Sequence, residues 1–107
     1  MKKKEIYAIV KNPGEPAVGK RIKNELKTFQ GLVGGYIETV TPGLDWTIIC
    51  NEEGRILKQP YNVEFCGIDF VGPIVLVGVR DDEFTDFPIF VEELMRVTPE
   101  LFEEEEK

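Results

Sequence analysis

The sequence contains no histidine and only two cysteines. Without an imidazole, the chain lacks the commonest general base, and Ser–His and Cys–His nucleophile pairs are excluded. Cys50 and Cys66 both lie in apolar stretches, and their spacing fits no zinc finger or ribbon. The spacing is compatible with a disulfide, but a cytoplasmic chain would not normally keep one. We therefore expect two reduced, buried thiols, and we predict no catalytic residue, metal site or cofactor.

Long apolar runs are also absent. None approaches the roughly 20 residues that a membrane-spanning helix needs. Residues 1–4 resemble the basic start of a signal peptide, but the apolar stretch at residues 6–10 is shorter than the roughly 7 to 15 residues of a signal-peptide core. The sequence therefore predicts a cytoplasmic protein with no membrane contact.

The apolar content is sufficient for one core. The chain has 107 residues, of which 42% are hydrophobic, and this length is typical of one domain. No internal repeat or linker divides the sequence. We predict a single α+β domain over residues 1–107, in which residues 103–107 form a frayed acidic tail.

Charge is distributed unevenly along the chain. The net charge is −7, yet residues 1–30 hold eight Lys or Arg against three Glu. Residues 81–106 hold eleven acids against the single base Arg96. Such a contrast bears on partners and assembly rather than on fold, and it favours a basic protein partner or a second copy of the chain. The pI of about 4.6 argues against nucleic acid as the partner.

Apolar segments of strand length predict the sheet. Residues 5–11, 36–40 and 46–50 have β-rich composition, and the nearly continuous apolar run at 72–79 indicates a central strand covered on both sides. Asn51-Glu52-Glu53-Gly54 has the residue order of a hairpin connection. We expect residues 55–58 to return antiparallel to the preceding strand, whereas residues 62–70 give no clear pattern.

Two helices are also predicted. Four apolar residues recur at helical spacing and predict an amphipathic helix over residues 20–32 that ends at the following glycines: Ile22, Leu26, Phe29 and Val33. A second helix is expected over residues 87–97, followed by a helical turn at 98–100. The fold class is therefore α+β, with a mixed or mostly antiparallel sheet of four to five strands and two main helices on one face. The uncovered face would be available for a homodimer interface.

Several motifs in these elements together resemble a family known only as a domain of unknown function. They are Leu32-Val33-Gly34-Gly35-Tyr36-Ile37-Glu38, Ile49-Cys50-Asn51-Glu52-Glu53-Gly54, Pro60 with Asn62, and Val71-Gly72-Pro73 with Ile74-Val75-Leu76-Val77-Gly78. The resemblance covers residues 6–83. It implies a shared fold and a setting in bacterial, bacteriophage and mobile-element genomes, mainly of Firmicutes, and it supplies no activity. Where the family usually resembles Leu-Pro-X-Asn-Arg, this chain has Gln59-Pro60-Tyr61-Asn62-Val63, so the basic residue of that motif is missing.

The first function hypothesis is a non-enzymatic accessory or interaction protein of phage or mobile-element origin. Its acidic C-terminal surface would bind a basic host partner. The second hypothesis is a small-molecule-binding or enzymatic domain that uses the 51–62 hairpin and loop. Its polar contacts would be Asn51, Arg55, Tyr61 and Asn62.

The third hypothesis is weak nucleic-acid binding through a basic stripe on the first predicted helix. Lys20, Lys23 and Lys27, together with Arg21, would contact phosphates through salt-sensitive interactions. The same stripe would serve equally well to complement acidic residues of this chain or of a neighbouring subunit. The acidic loop at 81–86 lacks the residue order of an EF-hand and is expected to be solvated.

Overall fold

The computed structural model describes residues 3–103. Within that range, the strands and helices follow one another as β1 (Glu5–Lys11), β2 (Val18–Lys23), α1 (Leu26–Val33), β3 (Ile37–Val40), β4 (Trp46–Asn51), β5 (Tyr61–Phe65), β6 (Ile68–Val71), β7 (Ile74–Arg80), β8 (Glu83–Thr85), α2 (Val91–Val97) and a 3-10 helix (Pro99–Leu101). No helix in this part of the chain is long and apolar enough to cross a membrane. Apart from Glu103, the tail predicted to fray lies outside the described residues.

One main sheet organises the fold. Its strand order is β2-β1-β7-β4-β3, and β8 pairs with the end of β7. The pairings in this sheet are antiparallel, and β5 and β6 form a separate two-stranded hairpin. The predicted α+β class, with two helices and a mostly antiparallel sheet, is confirmed.

The apolar run that predicted a central strand forms β7. Ile74, Val75, Leu76 and Val77 are all fully buried. Four consecutive buried residues point alternately to the two faces of the sheet, so both faces must be covered. β7 lies between β1 and β4, which supply its hydrogen-bonding partners.

Both faces of the main sheet are covered, so the prediction of a covering layer on one face only is wrong. On one face, Phe29 and Val33 of α1 pack into a cluster with Val75. The opposite face is covered by the β5–β6 hairpin, α2 and the 3-10 helix, which bring residues such as Phe70 and Leu101 into a second cluster. The predicted homodimer was based on an uncovered sheet face; within residues 3–103 both faces carry a core cluster, and the homodimer itself stays a prediction.

The basic segment at residues 18–23 is a strand, so the prediction of a helix over residues 20–32 is wrong in its first half. Ile22 pairs with Ile6 across β1 and β2, and both side chains are buried in one cluster. Asn24 is also buried, and its Nδ2 donates to the carbonyl oxygens of Lys3 (3.0 Å) and Phe84 (3.1 Å). Tertiary pairing therefore overrides the helical spacing of Ile22. The end of α1 is as predicted, because Gly34 adopts the left-handed conformation with φ 82°.

The predicted hairpin at residues 51–58 is also wrong, because this segment folds as a series of turns. The Leu57 N–H donates to the Glu53 carbonyl (2.9 Å), which coils the segment instead of extending it. The hairpin forms one segment later, between β5 and β6. Its turn residues, Cys66 (φ 54°) and Gly67 (φ 76°), have the two positive φ angles of a tight hairpin turn. Cys66 is therefore exposed, against prediction, whereas the predicted burial of Cys50 is confirmed.

The second helix begins at Val91, later than the predicted Phe87. The Phe87 N–H donates to the Tyr7 carbonyl (2.8 Å), which holds the chain extended against β1. The Tyr7 hydroxyl then accepts the N–H of Val91 (2.9 Å), one of the N–H groups at the helix start that lack a partner within the helix. The predicted helical turn at 98–100 is confirmed by the 3-10 helix Pro99–Leu101.

Candidate functional site

A groove lies beside β3 at one end of the main sheet. Its volume is about 370 Å³, and its walls come from β3, β4, the turns at 52–56 and strand β6. The turns at 52–56, which directly follow β4, form one of these walls. We call this depression the β3 groove.

Carboxylates dominate the charged lining of the β3 groove. Glu38, Glu52, Glu53 and Asp69 contribute acids, and Arg55 contributes a positive charge. All five residues are exposed to solvent. The Arg55 Nη2 donates to the backbone carbonyl of Asp69 (2.7 Å), which fixes the guanidinium at the groove wall. The lining is therefore acidic by a net three charges.

Apolar side chains lie among these charges. Ile56 is 77% exposed and Ile68 is 38% exposed, and both line the groove. Val40 lines it from β3 and packs against the core cluster beneath. The groove therefore combines negative charge with apolar contact area.

The thiol of Cys50 also lines the groove, and its raised pKa favours the protonated form at neutral pH. Burial raises the pKa of Cys50 to about 11, and the negative charge of Glu38 contributes to the rise. A thiol needs to ionise to attack an electrophile, and this one stays protonated near pH 7. Burial also raises the pKa of the Cys66 thiol, with a further contribution from Glu100.

The hydrogen-bond pattern of β3 leaves part of its backbone open. The Glu52 N–H donates to the Tyr36 carbonyl (2.8 Å), which defines a hydrogen-bonded pair at the start of the β3–β4 ladder. Because such pairs alternate in antiparallel sheets, Glu38 and Val40 bond to β4, whereas Ile37 and Thr39 direct their N–H and C=O groups away from it. Within residues 3–103, β3 is the last strand at this edge.

Asn51, a predicted polar contact, holds the groove wall in place. Its side chain is buried, its Nδ2 donates to the Val33 carbonyl (3.1 Å), and its Oδ1 accepts the Glu53 N–H (2.7 Å). Gln59 donates to the same Val33 carbonyl (3.1 Å). Both amides therefore connect the 51–60 segment to the end of α1.

The glycines of the family-like motifs surround these amides. A Cβ on Gly35 would lie 2.8 Å from the Asn51 Nδ2, and a Cβ on Gly72 would overlap the Gln59 side chain. Gly72 also has φ 72°, a conformation that favours glycine. These motifs are therefore explained by packing and turn geometry.

Asn62 and Tyr61 lie away from Asn51. Asn62 is buried, and its Nδ2 donates to the carbonyls of Lys11 and Gly72 (both 2.8 Å). Its Oδ1 accepts from the Nζ of Lys11 (2.9 Å), a lysine with only 2% exposure. The Tyr61 hydroxyl donates to the Asp69 Oδ1 (3.2 Å) on the neighbouring strand. Of the four predicted polar contacts, Asn51 and Arg55 thus share the β3 groove, whereas Tyr61 and Asn62 line a separate depression beside Lys11.

The predicted basic stripe is divided between elements. Lys20 and Lys23 lie on strand β2, where residues three apart point to opposite faces, and Lys27 lies on α1. Because residues 18–23 form a strand, the three lysines do not share one helix. The continuous helical face on which the nucleic-acid hypothesis depended is therefore absent from residues 20–27.

The C-terminal acids are divided as well. Asp81 and Asp82 occupy a turn between β7 and β8, while Glu92 and Glu93 lie in the first turn of α2. Asp86 accepts a hydrogen bond from the Lys3 Nζ (2.6 Å) and another from the Tyr7 N–H (2.7 Å). Among residues 81–103, the acids are therefore distributed over several elements.

Sequence reasoning missed all four groove acids as site residues: Glu38, Glu52, Glu53 and Asp69. Glu38 stands within a motif that was interpreted only as a strand, and Asp69 lies in the segment that gave no pattern. No local signal places Glu38 beside the acidic turn at 52–53, because the β3–β4 pairing brings them together. No local signal places Asp69 opposite Arg55, because that contact depends on the β5–β6 hairpin.

Comparison with known proteins identifies a family. A family model described as a domain of unknown function (DUF3846) matches residues 4–98. No curated protein and no solved structure matches the chain. The predicted resemblance to a domain of unknown function is thereby confirmed, and the match extends beyond residues 6–83 at both ends.

Proposed function

The chain belongs to the DUF3846 family, and from this premise we propose that it is a non-enzymatic interaction protein that binds a basic segment of a protein partner in the β3 groove. In the bacteriophage and mobile-element setting implied by the resemblance, that partner is a basic host protein. This proposal keeps the basic partner predicted from the charge pattern and places its contact at the β3 groove instead of the C-terminal acids.

The observation that carries the proposal is the net negative charge of a concave surface with apolar walls. Four carboxylates and one guanidinium line a groove of about 370 Å³. A concave surface of one charge sign concentrates the field and attracts ligands of the opposite sign. Ile56 and Ile68 supply apolar area for the side chains between the basic residues.

The alternatives have less support. An enzyme using the 51–62 segment lacks an activated nucleophile, because the Cys50 thiol has a pKa of about 11 and the chain has no histidine. The Asn51 amide, a predicted ligand contact, already binds backbone groups of this chain. Nucleic-acid binding lacks a continuous basic face, since Lys20 and Lys23 point to opposite sides of the sheet.

Fluorescence anisotropy with synthetic peptides tests this function. The probe is a labelled ten-residue peptide of alternating lysine and valine, and the comparison peptide has glutamate in place of lysine. We expect the lysine peptide to bind with a Kd between about 1 µM and 1 mM, which corresponds to roughly 8 to 4 kcal/mol. Added salt should weaken the binding because exposed charges are screened. Equal binding of the glutamate peptide would contradict the proposal.

A matched pair of charge reversals locates the contact. Glu52→Lys combined with Glu53→Lys changes two adjacent acids in the β3 groove, and Glu92→Lys combined with Glu93→Lys makes the same charge change on α2. We expect the groove variant to lose about tenfold in affinity, equivalent to about 1.4 kcal/mol, and the α2 variant to lose much less. If the α2 variant loses as much, the C-terminal acidic surface is the contact and the groove proposal is wrong.

A further inference from the structure

The edge of β3 indicates how a partner would bind in the groove. Resting on the proposed function, we propose that the basic segment binds as an added β-strand, hydrogen-bonded to the open edge of β3. Its alternate side chains enter the β3 groove. The recognised chemistry is an extended peptide with basic residues at every second position.

The backbone groups needed for such pairing are available on β3. Ile37 and Thr39 direct their N–H and C=O groups away from β4, as the Tyr36–Glu52 hydrogen bond and the strand register require. Thr39 is exposed and Ile37 is half-buried. An added strand would therefore pair through these two residues without disturbing the existing ladder.

The register of β3 determines which partner side chains face the groove. Glu38 and Val40 pair with Cys50 and Ile48, two residues of the core cluster on the groove side of the sheet. Ile37 packs on the opposite side, against the cluster under α1. Side chains of paired strands project to the same face. Partner residues opposite Glu38 and Val40 thus project into the groove, where the acids select lysine or arginine.

The other edge strand of the main sheet, β2, is protected against the addition of a strand. β2 carries Lys20, Arg21 and Lys23 in six residues, and clustered charge on an edge strand opposes pairing with further strands. β3 has one charged residue, Glu38, which would repel an acidic strand and attract a basic one. Charge complementarity therefore favours a basic peptide at β3.

Amide hydrogen exchange measured by NMR tests the pairing directly. In the free protein, the N–H groups of Glu38 and Val40 should be protected by β4, whereas those of Ile37 and Thr39 should exchange freely. Saturation with the alternating lysine–valine peptide should slow the exchange of Ile37 and Thr39 by at least about tenfold. Protection of these two amides without any peptide, rising with protein concentration, would mean that a second copy occupies the edge and would overturn the proposal.

A proline substitution provides the second measurement. Thr39→Pro removes an N–H that points away from β4, and proline is tolerated at such edge positions. The matched control is Arg21→Pro, because Arg21 occupies the equivalent outward-pointing position on β2, as the Asn24 N–H to Lys4 carbonyl hydrogen bond shows. We expect about tenfold weaker peptide binding for Thr39→Pro and unchanged binding for Arg21→Pro.

Peptide variants keep the test valid if Thr39→Pro does not fold. N-methylation of every second residue removes alternate donors from the ligand, and only one of the two possible patterns should abolish binding. A peptide of the same composition with its lysines in one block should bind more weakly than the alternating one. If the alternating peptide binds but Ile37 and Thr39 stay unprotected, strand addition is wrong and the proposed function stands. Absence of binding by every basic peptide would overturn both.

Discussion

The two edge strands of the main sheet, β2 and β3, differ in length, in charge and in how deeply an isoleucine anchors each of them. β2 has six residues, three of them basic, and is anchored by Ile22, which is 7% exposed and belongs to the core. β3 has four residues, one acidic side chain and a half-buried Ile37. Charge prevents further pairing at β2, whereas β3 is short, weakly charged and bordered by an acidic groove. The same sheet therefore has one edge with clustered charge and one edge at which we propose that a basic partner binds.

Alanine substitution at the two anchoring isoleucines should show the largest difference between the edges. Ile22→Ala removes a buried side chain and should reduce the free energy of unfolding by about 3 kcal/mol. Ile37→Ala should cost about 1 kcal/mol, because its side chain is partly in contact with water already. Chemical denaturation of both variants measures these losses. Equal losses would show that β3 is as firmly anchored as β2.

Removing the charges of β2 should make the two edges alike. A variant with Lys20→Thr, Arg21→Thr and Lys23→Thr keeps residues that favour strands and deletes the protection. We expect weak self-association with a Kd on the order of 1 mM, equivalent to about 4 kcal/mol, measured by sedimentation velocity. The variant carries more net negative charge than the natural chain. Weaker charge repulsion between molecules therefore cannot explain such association. A variant that stays monomeric at millimolar concentration would show that charge is not what protects β2.

A substitution of Asp86, whose carboxylate interacts with Lys3 and with Arg21 of β2, should have the smallest effect on stability. The hydrogen bond from Lys3 lowers the pKa of Asp86, the Tyr7 N–H and the charges of Lys3 and Arg21 lower it further, and burial opposes them. A carboxyl group with a lowered pKa stabilises the fold above its unfolded pKa, and the contribution is lost as the pH falls through the folded pKa.

Asp86→Asn should therefore cost no more than about 1 kcal/mol at pH 7, because the Asp86 side chain is 36% exposed and water screens the pair. The difference from the natural chain should shrink as the pH falls below about 4. Denaturation curves across this range measure it. In a Lys3→Gln background the difference should be smaller at every pH, and an unchanged difference would mean that Lys3 is not the main cause.

Strands with a strong local pattern could be predicted from the sequence. β1, β3, β4 and the central β7 all form near their predicted positions, since their alternation or continuous apolar character determines which faces are buried. The 3-10 helix at Pro99–Leu101 is likewise anticipated by proline at the first helical position.

Elements that depend on distant partners could not be predicted. β2 contains a basic sequence whose Ile22 fits a helix equally well, and only its pairing with Ile6 decides for a strand. The turns at 52–58 are held by Asn51 and Gln59 through the carbonyl of Val33, which lies 18 and 26 residues away. The same distance explains why Asn51 was predicted as a ligand contact, since its sequence neighbours show an exposed turn and not a buried amide.

The shared carbonyl of Val33 also has a consequence for the order of folding. α1 has eight residues, too few to persist as an isolated helix, so this acceptor is in position only after α1 has docked on β4 and β7. We therefore expect the turns at 52–58 to complete their ordering after the central sheet exists, and to open early in partial unfolding. The wall of the β3 groove would then be a region of low local stability, able to adjust to the proposed strand while the sheet beneath stays intact.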